Sequence, residues 1–193
     1  LMGAYKAGVL DDRHLRAAQL ALIAHCETMG DRVALIDAPP GLSPQQVAAW
    51  RRDTAGYDSK YAALYYPWIE LTGIDGRPLM LPPSGHVAGI YCRVDAEQGV
   101  HKAPANELVR GALGIETPVE REEQDLLNPL GVNCIRQFPG RGIRVFGART
   151  LSSDPAWRYV NVRRLFNYIE ESIREGTQWV VYEPNDLFLW GKV

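Results

Sequence analysis

The chain predicts an α/β fold: a mixed sheet with βαβ units flanked by helices, plus an antiparallel hairpin around residues 131–148. One observation is a pair of short apolar runs, Arg32–Asp37 and Tyr61–Leu71, that enclose a helix-start signal. Strand, helix and strand over so short a span imply a parallel pair joined by a right-handed crossover. Another is the pair of strand-length runs Gly131–Phe138 and Ile143–Ala148, separated by Pro139-Gly140-Arg141-Gly142. Proline presets one turn dihedral, and glycine takes positive φ at no steric cost. In the second run Ile143, Val145 and Gly147 alternate with Arg144, Phe146 and Ala148, the period of a sheet with unlike faces.

The elements follow in order. Asp12–Met29 reads as a helix: Leu15, Ala18, Leu22, Cys26 and Met29 form an apolar stripe, Asp11 and Asp12 favour its start, and Gly30 is placed to end it. Arg32–Asp37 is a strand stopped by Ala38-Pro39-Pro40-Gly41. Ser43-Pro44-Gln45-Gln46 is a capping box with proline in the first turn, opening a helix that runs to about Thr54. Tyr61–Leu71 is the next strand, with Pro67 marking its bend or edge. Thr72–Pro83, rich in Gly, Pro and Asp, reads as a loop.

Ser84-Gly85 opens a helix over His86–Glu97, with Val87, Ile90, Tyr91 and Val94 turned inward. Leu108–Ile115 holds a short strand at most. Thr117-Pro118-Val119-Glu120 is a second capping box, and the charged helix after it, Arg121 to Asp125, shows a solvated face before Asn128-Pro129. After the hairpin, Arg158–Asn161 is extended. Val162–Glu175 is a helix with Val162, Leu165, Phe166, Ile169 and Ile173 as its inward stripe, Asn161 as cap and Gly176 as stop. Gln178–Tyr182 reads as a strand, Pro184-Asn185-Asp186 as a turn, and a further element begins at Leu187.

The 193 residues can bury a substantial core, and 46% hydrophobic with 23% charged residues is ordinary for a globular domain. A formal net charge of −2 argues against a nucleic-acid partner, which usually draws a basic excess. Cys26, Cys92 and Cys134 make an odd set without a CxxC pair and read as reduced, buried thiols of a cytosolic protein. No apolar run approaches the roughly 18 residues that span a bilayer, and no signal peptide is visible. A helical pattern already under way at Leu1 and an apolar ending at Leu187–Val193 lead us to expect further residues beyond both ends.

Motifs that carry chemistry are scarce. There is no phosphate loop, and Gly140-Arg141-Gly142 sits in a hairpin without the third glycine of a dinucleotide fingerprint. His14, His25, His86 and His101 are scattered, and their spacing to the cysteines supports no zinc site. Ser84 lies in no GxSxG elbow. Asp37 ends a strand of the βαβ unit, where open α/β folds place ligands; the competing reading has its carboxylate bonding the backbone of the Pro-Pro-Gly turn. Arg136, Arg141, Arg144, Arg149, Arg158, Arg163 and Arg164 concentrate in one third of the chain. They could form an anion site; pairing with Glu170 and Glu171 accounts for the last two, and contact with acidic neighbouring subunits is the alternative for the set. The expectation is no catalytic residue, no cofactor and no metal.

Two blocks, PPSGHVAGIYCRVDAEQGVHKAPAN from Pro82 and NPLGVNCIRQFPGRGIRVFGARTLSSDPAWRYVNVRRLFNYIEESI ending at Ile173, resemble contractile tail sheath proteins. These form the sheaths of contractile bacteriophages, R-type pyocins and related injection systems. Val33–Leu71 resembles the family more weakly. The resemblance implies a single sheath core domain over residues 1–193 that lacks terminal linking arms. It implies a structural subunit that stacks in a helical array of copies around an inner tube. It further implies partners in the inner tube protein, the baseplate and the tail terminator or cap proteins, without nucleic acid or membrane insertion. Assembly would take place in the bacterial cytoplasm, and the mature location would be a phage tail or tail-like injection particle. Contraction would release energy stored in a metastable extended state and drive the tube through an envelope. The alternatives are a small cytosolic α/β enzyme with a site near Asp37, and an interaction module unrelated to sheaths.

Overall fold

Ala62–Tyr66 (β2) runs through the middle of the larger sheet, and every one of its residues is buried. In the computed structural model, which describes residue 8 and residues 11–191, β2 pairs in parallel on one side with Ala34–Asp37 (β1). On the other it pairs in parallel with Val132–Phe138 (β7). The sheet continues antiparallel through Gly142–Phe146 (β8) to Glu107–Leu108 (β5), giving the order β1-β2-β7-β8-β5. The mixed α/β architecture is therefore the expected one. The helical start expected at Leu1, and Lys192 and Val193, lie outside the described residues.

The period of two along β2 sorts its side chains between two cores. Ala62, Leu64 and Tyr66 join one cluster with Ile23, Cys26, Val47, Ala48, Leu127, Val132 and Cys134. Ala63 and Tyr65 join the other with Val87, Ile90, Tyr91, Val94, Ile135, Val145 and Val160. The helices Asp12–Met29 (α1) and Pro44–Ala49 (α2) supply the first face, and Ser84–Gln98 (α3) supplies the second. A strand covered on both faces needs apolar residues throughout, which is why Ala-Ala-Leu-Tyr-Tyr does not alternate with polar ones.

The βαβ unit forms as expected. Ser43 Oγ accepts from the Gln46 N–H and Gln46 Oε1 from the Ser43 N–H, completing the capping box. The helix then passes into π-helical geometry over Trp50–Ala55 and stops at Gly56. The hairpin also forms: Gly140 and Gly142 both take positive φ, 69° and 75°, and the Arg141 N–H bonds the Phe138 carbonyl.

Several expectations are corrected. Tyr61–Leu71 is two strands, because the chain turns at a cis Tyr66–Pro67 bond and Ile69–Thr72 (β3) joins a second sheet. That sheet includes Pro78–Leu81 (β4), inside the segment read as a loop. β4 is an exposed edge with no burial pattern, and Pro78 starts it, where a missing donor costs least. Gly114–Ile115 (β6) completes it in the order β4-β3-β6, so Leu108–Ile115 serves two sheets rather than forming one strand. The cap of Arg121–Leu127 (α4) is Glu120 with Glu123, not Thr117. Val160–Gly176 (α5) begins before Val162 and continues through Gly176; Tyr159 is its N-cap, and the Asn161 amide donates to the His101 carbonyl. Gln178–Tyr182 is no strand: Gln178–Val180 is a 3₁₀ turn, and β propensity without a partner edge forms no ladder. Cys92 is exposed, unlike Cys26 and Cys134.

The buried faces of α1 and α5 also differ from the apolar stripes. α1 buries Leu15, Gln19, Ile23 and Cys26 and leaves Leu22 and Met29 exposed. Gln19 is worth burying because its amide donates to the Asp37 carbonyl and its oxygen accepts from the Tyr57 hydroxyl, at 3.0 and 2.6 Å.

Where η-turn Asn128–Leu130 meets β7, Gly131 takes φ 77°, and a Cβ there would stand 2.8 Å from the Thr150 carbonyl oxygen. Gly140 has φ 69° with open space around it. Gly131→Ala therefore meets strain and a backbone clash together and should lose roughly 2–4 kcal/mol, whereas Gly140→Ala should lose only about 1 kcal/mol. Urea unfolding of the two variants checks this; equal losses would show that the Thr150 carbonyl yields.

Candidate interaction surface

Asp37 ends β1 at 4% exposure. Its carboxylate does not bond the Pro-Pro-Gly turn: Oδ1 accepts the backbone N–H of Ser84 at 2.9 Å. A residue 47 positions upstream thus caps the helix that Ser84 opens, and an anion at that end is favoured by the helix dipole. Burial nevertheless pushes the Asp37 carboxyl from an ordinary 3.8 up to about 6, with the Ser84 bonds opposing it. The concavity beside the start of α3 is lined by Leu81, Pro82, Ser84, Gly85, His86, Gly89, Ile90, Arg93 and Arg110. Asp37 does not line it. No group of His, Cys, Asp and Glu among the described residues could hold a metal ion. The Cys134 thiol is pushed up to about 12 by burial, which leaves it unreactive.

The arginines do not gather into one site. Arg136 lies over the rings of Phe138 and Phe146 and donates to the Val119 carbonyl and Gln124, tying α4 to the hairpin. Arg141 and Arg144 both bond Asn106. Arg163 pairs with Glu170 as expected, but Arg164 reaches across to Asp95 on α3 rather than to Glu171. Arg163 is 2% exposed, with its guanidinium 4.4, 4.9 and 5.8 Å from the ring centroids of Trp157, Tyr61 and Phe166. Its remaining donors go to Asn167 and Glu170 at 2.6 and 2.9 Å.

This cage decides which way α5 faces. The helix buries Val160, Arg163 and Asn167, while the stripe read as inward is largely outward, with Phe166, Ile169 and Ile173 exposed. The chain that follows adds exposed Trp179, Val181 and Tyr182, and Leu187 and Phe188 of Leu187–Trp190 (α6). Large apolar side chains in this number mark an interaction surface.

Arg149 and Arg158 join Arg51 and Arg52 around a cleft of about 600 Å³. Nothing local in Trp50-Arg51-Arg52 signals a partner on the far side of the chain.

The model of the phage tail sheath protein central domain matches residues 7–151, and that of the phage tail sheath C-terminal domain matches residues 152–193. The chain belongs to the phage tail sheath protein family. Among solved structures, this sheath-family chain is similar to the helical sheath of the anti-feeding prophage in its contracted state, with 38% identity and a TM-score of 0.78 over 94% of the chain. It is also similar to the contracted sheath complex of the extracellular contractile injection system PVC, with 36% identity and a TM-score of 0.74 over 82% of the chain. The tail sheath protein of Burkholderia phage BcepMu is 30% identical over 80% of it. The chain spans 48%, 44% and 35% of these three relatives, respectively.

Folding favours the protonated form of Asp37, because its folded pKa is raised. Its stabilising share is present at low pH and is lost as pH rises from 3.8 through about 6. Asp37→Asn should therefore gain on the native protein by on the order of 3 kcal/mol between about pH 4 and about pH 7. Paired unfolding curves check this; a pH-independent difference would refute it. Arg163→Ala should cost roughly 2–4 kcal/mol by emptying the ring cage and stranding Asn167, measured by thermal unfolding.

Proposed function

We propose that this sheath-family chain is part of a structural subunit of a contractile tail sheath, which polymerises around an inner tube and contracts to drive that tube through a target envelope. The observation that carries this reading is the similarity to the contracted anti-feeding prophage sheath over nearly the whole chain. The subunit acts without a catalytic centre, cofactor or metal, which fits the use of Asp37 as a buried helix cap. Residues 1–193 act as one sheath core domain. The partners are neighbouring sheath subunits, the inner tube protein, the baseplate, and terminator or cap proteins. Assembly takes place in the bacterial cytoplasm, and the product is a phage tail or tail-like injection particle.

Physical features support a subunit that works by packing. The exposed apolar side chains of α5 and α6 need covering, and an ordered array of copies with its partners can cover them. A near-neutral formal charge of −2 suits protein neighbours better than nucleic acid. No helix among the described residues is long and apolar enough to cross a membrane. A small free-energy difference between extended and contracted packings, repeated over many copies, suffices to move a tube.

Negative-stain microscopy of the full-length protein tests this: tubes of sheath form are expected, and their absence under assembly conditions would overturn it. Residues 1–193 alone should sediment as a compact species without forming tubes, because about half of each structural relative lies outside the matched length. Ordered tubes from this piece would show that it already holds every contact assembly needs.

A further inference from the structure

The cleft lined by Arg51, Arg52, Arg149 and Arg158 has a local charge that the chain does not balance. Among the described residues none of these guanidiniums lies within ion-pair distance of a carboxylate. Asp58 is the one carboxylate in the lining, and it is already engaged: its oxygens accept from the N–H and hydroxyl of Ser153 at 2.9 and 2.6 Å. These bonds hold its carboxyl below the usual range. Four cations around one occupied anion repel one another unless a further anion enters.

The walls are built. Arg51 donates to the carbonyls of Leu130 and Tyr57 at 3.1 and 2.6 Å, and burial presses its guanidinium below its usual value. The backbone of Arg149 is clamped by buried Asn133, whose amide donates to its carbonyl and whose oxygen accepts its N–H. The Arg158 carbonyl accepts from the Thr150 N–H, while the Thr150 hydroxyl donates to the Trp157 carbonyl. Three segments distant in sequence thus bring four arginines to one opening: the Arg51 guanidinium is fixed, and the backbones that carry Arg149 and Arg158 are fixed, while Arg52 and Arg158 are exposed and accessible to a carboxylate.

The same chain carries the complement. Glu122 and Asp125 of α4 are exposed, stand three residues apart on one helix, and enter no ion pair among the described residues. We propose that the arginine cleft receives the Glu122–Asp125 face of a second copy of this chain. The inference rests on the sheath reading and deepens it. Cleft and acidic face are different surfaces, so the contact is heterologous and propagates from copy to copy, as a helical array requires. A free anion would leave the acidic face unmatched, whereas a second copy satisfies both surfaces at one-to-one stoichiometry.

The test uses full-length protein in three forms: Arg149→Glu with Arg158→Glu, Glu122→Arg with Asp125→Arg, and all four substitutions together. Circular dichroism melts establish that each is folded. Pelleting and microscopy then read the fraction in tubes. Each pair alone should lower that fraction at least about tenfold, the scale of a coupling of 1–2 kcal/mol, and the four together should restore it. Folded pairs that polymerise like the native protein, or a quadruple variant no better than either pair, overturn the proposal. So does an arginine variant that polymerises normally but no longer co-sediments with inner tube protein, since the cleft would then serve the tube. Native protein that forms no tubes would instead remove the sheath reading itself.

Discussion

Everything in this structure hangs on a strand that has no solvent face. β2 is paired in parallel on both edges and packed on both sides, so it belongs to both hydrophobic clusters at once. Its tyrosines reconcile burial with polarity. The Tyr65 and Tyr91 hydroxyls bond each other at 2.6 Å, and the Tyr66 hydroxyl donates to the Leu42 carbonyl at 2.7 Å. Beyond Pro67, the Trp68 indole donates to the Ala38 carbonyl, so the loop after β1 is pinned from the strand that follows the crossover. Burying rings of this size contributes strongly to the core, provided each polar tip finds its partner.

Polar groups decide how the helices sit on that sheet. α1 turns Gln19 inward because Asp37 and Tyr57 both need it. α5 turns Arg163 inward because Trp157, Tyr61 and Phe166 wall its guanidinium while Asn167 and Glu170 accept hydrogen bonds from its N–H groups. A desolvated arginine walled by rings and bonded to Asn167 and Glu170 takes the inward face in place of the apolar stripe beside it, which stays exposed. That displacement leaves Phe166, Ile169 and Ile173 exposed, the kind of surface that the proposed array of copies would cover.

Charge is divided in a similar way. Arg136, Arg163 and Arg164 are satisfied within the chain and hold elements together. Arg51, Arg52, Arg149 and Arg158 surround a cleft whose single carboxylate is already bonded to Ser153. Arg51 is itself bonded to the Leu130 and Tyr57 carbonyls, so it shares the first role while lining the cleft with the other three.

What the sequence determined by itself was local. The Pro139–Gly142 turn, the Ser43–Gln46 capping box, the βαβ crossover and the left-handed stop at Gly30 were legible because dihedral preference and capping act within a few residues. The sheath resemblance was legible because it rests on two long ordered blocks, Pro82–Asn106 and Asn128–Ile173, the second of which contains the Pro139–Gly142 turn. Only the tertiary structure decided the division of Tyr61–Leu71 between two sheets, the edge strand β4, the cap of α3 by Asp37, and the faces of α1 and α5. The arginine cleft belongs with these, since Arg51 and Arg149 are brought together by the sheet. Asp37 lies 47 residues from Ser84 and Tyr57 38 from Gln19, so no local window of sequence holds the energy that turns those groups inward; on α5 Trp157, Phe166, Asn167 and Glu170 are near Arg163 in sequence, but only the fold brings Tyr61 to complete the cage.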